Sequence, residues 1–91
     1  MIKKNDVVSV VTTVGEFVGK YVEASESCIT IHDPRMIVHS QEGMGFAAGL
    51  CMSGAQSPDI GHFYNGQVVF MDKTNEQVEK AYREFTSGII T

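Results

Sequence analysis

Three histidines (His32, His39 and His62), two cysteines (Cys28 and Cys51) and Asp33 are the side chains of this sequence best suited to hold a metal or to pair a nucleophile with a base. Their spacing argues against both. A zinc site needs about four convergent ligands in a compact pattern, and these positions form none. Cys28 and His32 lie about 13 Å apart along an extended chain, too far for a thiol–imidazole hydrogen bond. The sequence therefore reads as non-catalytic, with no metal and no cofactor.

Length and charge narrow the possibilities further. The 91 residues make one domain, near the lower size limit for independent folding, where assembly with further copies is a common source of stability. Hydrophobic residues make up 43% and charged residues 20%, a globular rather than a disordered balance. The formal charge of −4 supplies no general attraction for phosphates, so any nucleic-acid contact must be local. The opening residues lack the apolar core of a signal peptide, and no apolar run approaches the ~20 residues of a membrane helix. A cytoplasmic protein is expected, with both cysteines reduced and buried.

The elements that must carry any binding chemistry are mostly strands. Residues 6–13 are dense in β-branched side chains and end at Val14-Gly15, a turn. Residues 17–24 alternate, with Phe17, Gly19, Tyr21 and Glu23 on one face. Ser25-Glu26-Ser27 is a polar connection, and residues 28–32 alternate again, Ile29 and Ile31 facing one way and Cys28, Thr30 and His32 the other. Asp33-Pro34 interrupts the ladder, and residues 35–39 either extend this strand or start an edge segment. Residues 44–53 read as one strand with a face of small residues, which fits strong curvature or the close approach of another backbone, within the chain or between subunits.

Asn65-Gly66 is the strongest tight-turn signal, a pair that adopts positive φ cheaply, and two short strands are expected to meet there. Helical spacing of Val78, Ala81, Tyr82 and Phe85 predicts a helix over about 75–87, capped by Thr74 or Asn75, with Gln77 completing a capping box from Thr74 and Gly88 as the stop. Its apolar stripe must pack on the sheet, most simply over an open barrel end.

The expected fold is thus mainly β: a small, strongly bent five-stranded antiparallel barrel over about 6–72 followed by one C-terminal helix. Gly19 is explained by this bend, because a strand serving both halves of a small barrel needs a corner without a Cβ.

The order and spacing of these segments resemble the Sm-like family of Sm, LSm and Hfq proteins. The resemblance is carried by Gly15, Gly19 and the alternation up to Ile29-Thr30-Ile31, and by Tyr64-Asn65-Gly66 followed by Val68, Val69 and Met71. A monomeric SH3-like domain is a third reading of the same small barrel. The family's first motif has an acidic, a stacking and an asparagine residue. One frame places these at Ser25, Ser27 and Ile29. The other gives Glu26, Cys28 and Thr30, and is preferred because Ile29 faces inward. The asparagine is missing in either frame, Asn65 stands where the second motif has a basic residue, and the helix follows the barrel instead of preceding it. This pattern looks like a divergent phage or bacterial branch.

The resemblance implies a closed homo-oligomeric ring, pentamer to heptamer, in which edge strands near residues 44–53 and 67–72 pair between copies. It further implies that single-stranded RNA is bound without catalysis, one base per subunit entering a pocket made by the two motifs. The implied nucleic-acid-binding residues are Glu26, Cys28, Thr30, Tyr64, Asn65 and Gly66: Tyr64 for stacking, Asn65 for a base edge, Thr30 and Glu26 for further polar contacts. Each also has a plainer role. Glu26 fits a solvated loop, Tyr64 a core or subunit interface, and Asn65-Gly66 a turn. The same barrel ring without RNA binding, as a protein-interaction or assembly module, is the rival reading, favoured by the acidic balance and the missing motif residues.

Overall fold

The computed structural model describes residues 1–47, 53–54 and 58–87. Six strands and one helix follow in order: β1 (Val7–Thr12), β2 (Gly15–Ala24), β3 (Cys28–Ser40), β4 (Gly43–Phe46), β5 (Ile60–Tyr64), β6 (Val68–Lys73) and α1 (Glu76–Thr86). All strand pairs are antiparallel. The sheet runs β4-β3-β2-β1-β6, with β5 on the same outer edge of β3 that β4 occupies further along.

The mainly β expectation with a C-terminal helix holds, with two corrections. Among the described residues there are six strands rather than five, and the sheet they form does not close, because β5 pairs with β3, β6 pairs with β1, and neither pairs with the other. Residues 28–40 form one continuous strand, so the segment after Pro34 is an extension and not a separate edge. The strand expected over 44–53 ends at Phe46, and Ala47 leaves the ladder after its N–H reaches the Met36 carbonyl. Residues 48–52, including Cys51, lie outside the described residues, as does Gly88.

The bend that drives this topology is localised. The β2–β3 register slips twice, between Val18 and Lys20 and between Tyr21 and Glu23. The first slip places extra residues of β3 around Asp33, whose φ is +54°, and Pro34, which has no N–H to donate. Gly19 faces this bulge. A Cβ there would drive into the Cγ2 of buried Ile31 and come within 3.1 Å of the Pro34 Cα and 3.2 Å of the His32 carbonyl oxygen. The absence of a side chain at 19 is therefore a packing requirement.

Two apolar layers result. On one face of the sheet Val8, Val10, Ile29 and Ile31 are buried, with Phe63, Val68 and Met71 packed against them. On the other face Val7 and Val18 pack with Tyr82 of α1, flanked by Ile37, Phe46 and Val78. The helix thus covers one sheet face. Thr74 does not open the expected capping box. It is buried, its hydroxyl shares a 2.8 Å hydrogen bond with that of Ser9, and its N–H donates to the Val7 carbonyl. Asn75 caps instead, its side chain accepting from the Val78 N–H at 2.9 Å.

Tyr82 anchors the helix at the bulge, donating from its hydroxyl to the Asp33 carbonyl at 2.6 Å. Burial raises its phenol well above the usual range, the Asp33 carboxylate adds to the rise, and the Arg35 and Arg83 guanidiniums oppose it. A phenol held neutral by folding contributes stability that is complete below its ordinary value of about 10 and is lost as pH rises past it.

Two outcomes follow for denaturant and thermal unfolding. Gly19→Ala is expected to lower stability by about 1–3 kcal/mol. Tyr82→Phe is expected to cost about 1 kcal/mol at neutral pH and to show a shallower fall in Tm above pH ~10 than the parent chain; an unchanged alkaline slope would refute the role given to the phenol.

Candidate nucleic-acid interface

The two segments that carry the sequence resemblance meet at one corner of the sheet. Cys28 stands opposite Tyr64 and Thr30 opposite His62 in the β3–β5 register. Ile29 and Ile31 are buried on the far side, so Cys28 and Thr30 face outward as the frame through Glu26, Cys28 and Thr30 requires. Cys28 is a free, half-buried thiol and not the buried one expected. It sits outward because its strand neighbours Ile29 and the β5 residue Phe63 take the core side.

The turn between β2 and β3 is built by Ser25. Its hydroxyl accepts from the Ser27 and Cys28 N–H groups at 3.3 and 3.2 Å, and its own N–H donates to the Cys28 carbonyl at 2.8 Å. Asn65 ties this turn to the end of β5. Its backbone N–H donates to the Ser27 carbonyl at 2.9 Å, and its Nδ2 donates to the Glu26 carbonyl at 2.7 Å. Glu26 itself is exposed.

Asn65-Gly66 does not make the tight hairpin turn expected. Residues Asn65–Gln67 form a 3-10 turn, and neither Asn65 nor Gly66 has a positive φ. The flanking strands have different partners, so a two-residue hairpin has nothing to join. The asparagine is kept in place by its bonds to the other turn instead. Gly66 has open space around it and contributes no side chain to the patch.

The outward face around this corner combines an exposed aromatic ring with polar groups. Tyr64 is 63% exposed. Thr30 Oγ1 and His62 Nδ1 lie 3.3 Å apart. His32 Nε2 pairs with Asp59 at 2.9 Å, and Lys20 and Glu23 stand opposite His32 and Thr30 on β2. Charges of both signs are mixed, with no concentrated basic patch. The sequence offers His62 only as a metal ligand, not as a neighbour of Thr30, since that placement depends on a register between strands 32 residues apart. His39, by contrast, is exposed on the β3–β4 hairpin, opposite Met44. Among the described residues no cluster of three or more His, Cys, Asp or Glu is placed to hold a metal ion, and no helix is long and apolar enough to cross a membrane.

Where β5 and β6 part, a cavity of about 200 Å³ opens beside Tyr64. Phe17 and Phe63 line it, packed edge to face with centroids 5.0 Å apart. Sequence reading missed it, because it exists only through the failure of β5 and β6 to pair.

Comparison of the chain with protein-family models, with curated proteins and with solved structures finds no match.

Asn65→Ala is expected to lower stability by about 1 kcal/mol, the worth of its side-chain hydrogen bond, with amide chemical-shift changes concentrated at residues 25–28 and 64–67. Changes spread through the core instead would refute the local tie between the two turns.

Proposed function

We propose that the protein is a divergent Sm-like, non-catalytic protein that assembles with copies of itself and binds single-stranded RNA at the corner formed by Glu26, Cys28, Thr30, Tyr64, Asn65 and Gly66. The observation that carries this reading is the tie between the two turns: Asn65 donates to the carbonyls of Ser27 and Glu26, so segments 39 residues apart present one continuous surface with an exposed aromatic ring. Such a ring offers a π face to an unstacked base. Thr30 and His62 add hydrogen-bonding groups next to it.

Self-assembly is supported by the strand edges. β6 pairs only with β1 among the described residues, and its Val69 and Phe70 are 62% and 56% exposed. An open edge with apolar side chains is a template for a further strand, and closure by copies of the chain satisfies it. Repetition of the corner around an assembly would let weak contacts sum, offsetting the chain's net negative charge.

A second reading, an assembly module that binds no RNA, is favoured by one feature. The Asn65 amide N–H is already spent on the Glu26 carbonyl, which removes a donor that base reading would use.

The two readings separate in a titration with a short oligouridine at low and moderate salt, alongside the particle mass. The RNA reading expects salt-sensitive binding that Tyr64→Ala weakens by about 1–3 kcal/mol, roughly five- to 150-fold, with the particle mass unchanged. Absence of binding at low salt by an intact assembly would select the second reading.

A further inference from the structure

The cavity between β5 and β6 has the size and lining of a site for a flat neutral ring. Its volume is about 200 Å³ and it opens to solvent on one side, so a ring can enter edge-on without the chain having to part. Buried Phe17 and partly buried Phe63 and Val68 supply apolar surface, and exposed Val14, Tyr64 and Gln67 stand around the opening. None of the lining residues is a carboxylate, an ammonium or a guanidinium, which disfavours a charged ligand and suits an uncharged one.

The polar groups at the opening set the chemistry. The Gln67 carbonyl oxygen accepts from the Thr13 hydroxyl at 2.6 Å, which fixes the side-chain amide and leaves its NH2 donors for a ligand. His62, also in the lining, is held through Nδ1 by Thr30, leaving Nε2, and Tyr64 adds a phenol. An apolar interior with a few convergent donors and acceptors is the usual form of a small-ligand site. A hydrocarbon would leave those groups unused, whereas a heteroaromatic ring with carbonyl and ring-nitrogen acceptors on its edge would engage them.

We infer that this cavity binds a nucleobase, with the ring against Phe17 and Phe63 and an acceptor edge on the Gln67 amide. The inference rests on the nucleic-acid reading for its ligand class, but it places the base in the gap between β5 and β6, not on the turn corner at Glu26 and Asn65. The base can come from a free nucleoside or from a strand, and the two sources differ in what accompanies the ring.

The test is a titration of the full, isotope-labelled chain with uridine and with adenosine, followed by amide chemical shifts, with an oligouridine as a separate arm. The expected result is saturable shifts at Thr13, Val14, Gln67 and Val68 with at least one nucleoside, weakened about tenfold in Gln67→Leu, the effect of one lost hydrogen bond. A lower affinity for the nucleoside than for the oligonucleotide identifies a strand as the source; equal affinity identifies the free nucleoside. Shifts at neither nucleoside up to the limit of solubility, or shifts confined to residues 25–30, overturn the cavity site. In both of those cases the oligouridine arm still decides the RNA reading, so the two failures are distinct.

Discussion

The close passage of β3 over β2 at Gly19 is the constraint on which the rest of the molecule depends. Only a residue without a Cβ lets Ile31, His32 and Pro34 lie so near the β2 backbone. At that crossing β3 carries its bulge, and beyond it the outer edge of β3 changes partner, from β5 along residues 28–32 to β4 along residues 37–40. Pro34 is tolerated there because the ladder is already interrupted. The bulge also exposes the Asp33 carbonyl that receives the Tyr82 hydroxyl, so the point that bends the sheet is the point that docks the helix.

A buried charge reinforces this junction. Arg35 is 6% exposed, pairs with the Asp33 carboxylate at 2.9 Å and donates to the Pro34 carbonyl at 3.1 Å. Its guanidinium carbon also lies 5.7 Å from the centre of the Phe85 ring, a cation–π contact to the helix. Its Nε has no hydrogen-bond partner, so the arrangement is incompletely satisfied and its desolvation cost is not fully offset. Geometry is what it supplies: one side chain reaches the bulge on β3 and the last turn of α1 together, fixing the helix against a single register of the sheet. Phe46, in contact with both Tyr82 and Phe85, brings β4 into the same cluster.

Much of the strand pattern was legible because alternation is local. Ile29 and Ile31 announce their inward side through alternation, and the helix shows itself through Val78, Tyr82 and Phe85, whereas the run Val7-Val8-Ser9-Val10-Val11 announces a strand but not which of its faces is buried. The errors fall where non-local pairing overrides a local signal. Asn-Gly predicts a hairpin only if the strands on either side pair, and here they diverge to β3 and β1. Thr74 has the spacing of a cap, but the chance to bond Ser9 across the sheet takes it away. At the candidate interface Cys28 and Thr30 share the side of β3 away from buried Ile29 and Ile31, a feature legible from local alternation. The neighbours that define the surface, His62 and the lining of the cavity, depend on the β3–β5 register and on a gap, neither of which has a local signature.

That gap also accounts for the character of the corner as a whole. If β6 turned back against β5, the Asn65 N–H groups would belong to a hairpin, and the turn between β2 and β3 would have no partner. Because β6 leaves for β1 instead, Asn65 is free to hold Ser27 and Glu26, Tyr64 stands at the edge of an open cleft, and Phe17 and Phe63 are reached from outside. Among the described residues the same divergence leaves β6 with a bare outer edge. The cleft and the edge of β6 thus arise from one topological choice, and a strand added to that edge would border the cleft beside Tyr64. Under the proposed function, assembly and ligand binding would be coupled by geometry, since any change that lets β5 and β6 pair would remove the cleft and the free edge of β6 together.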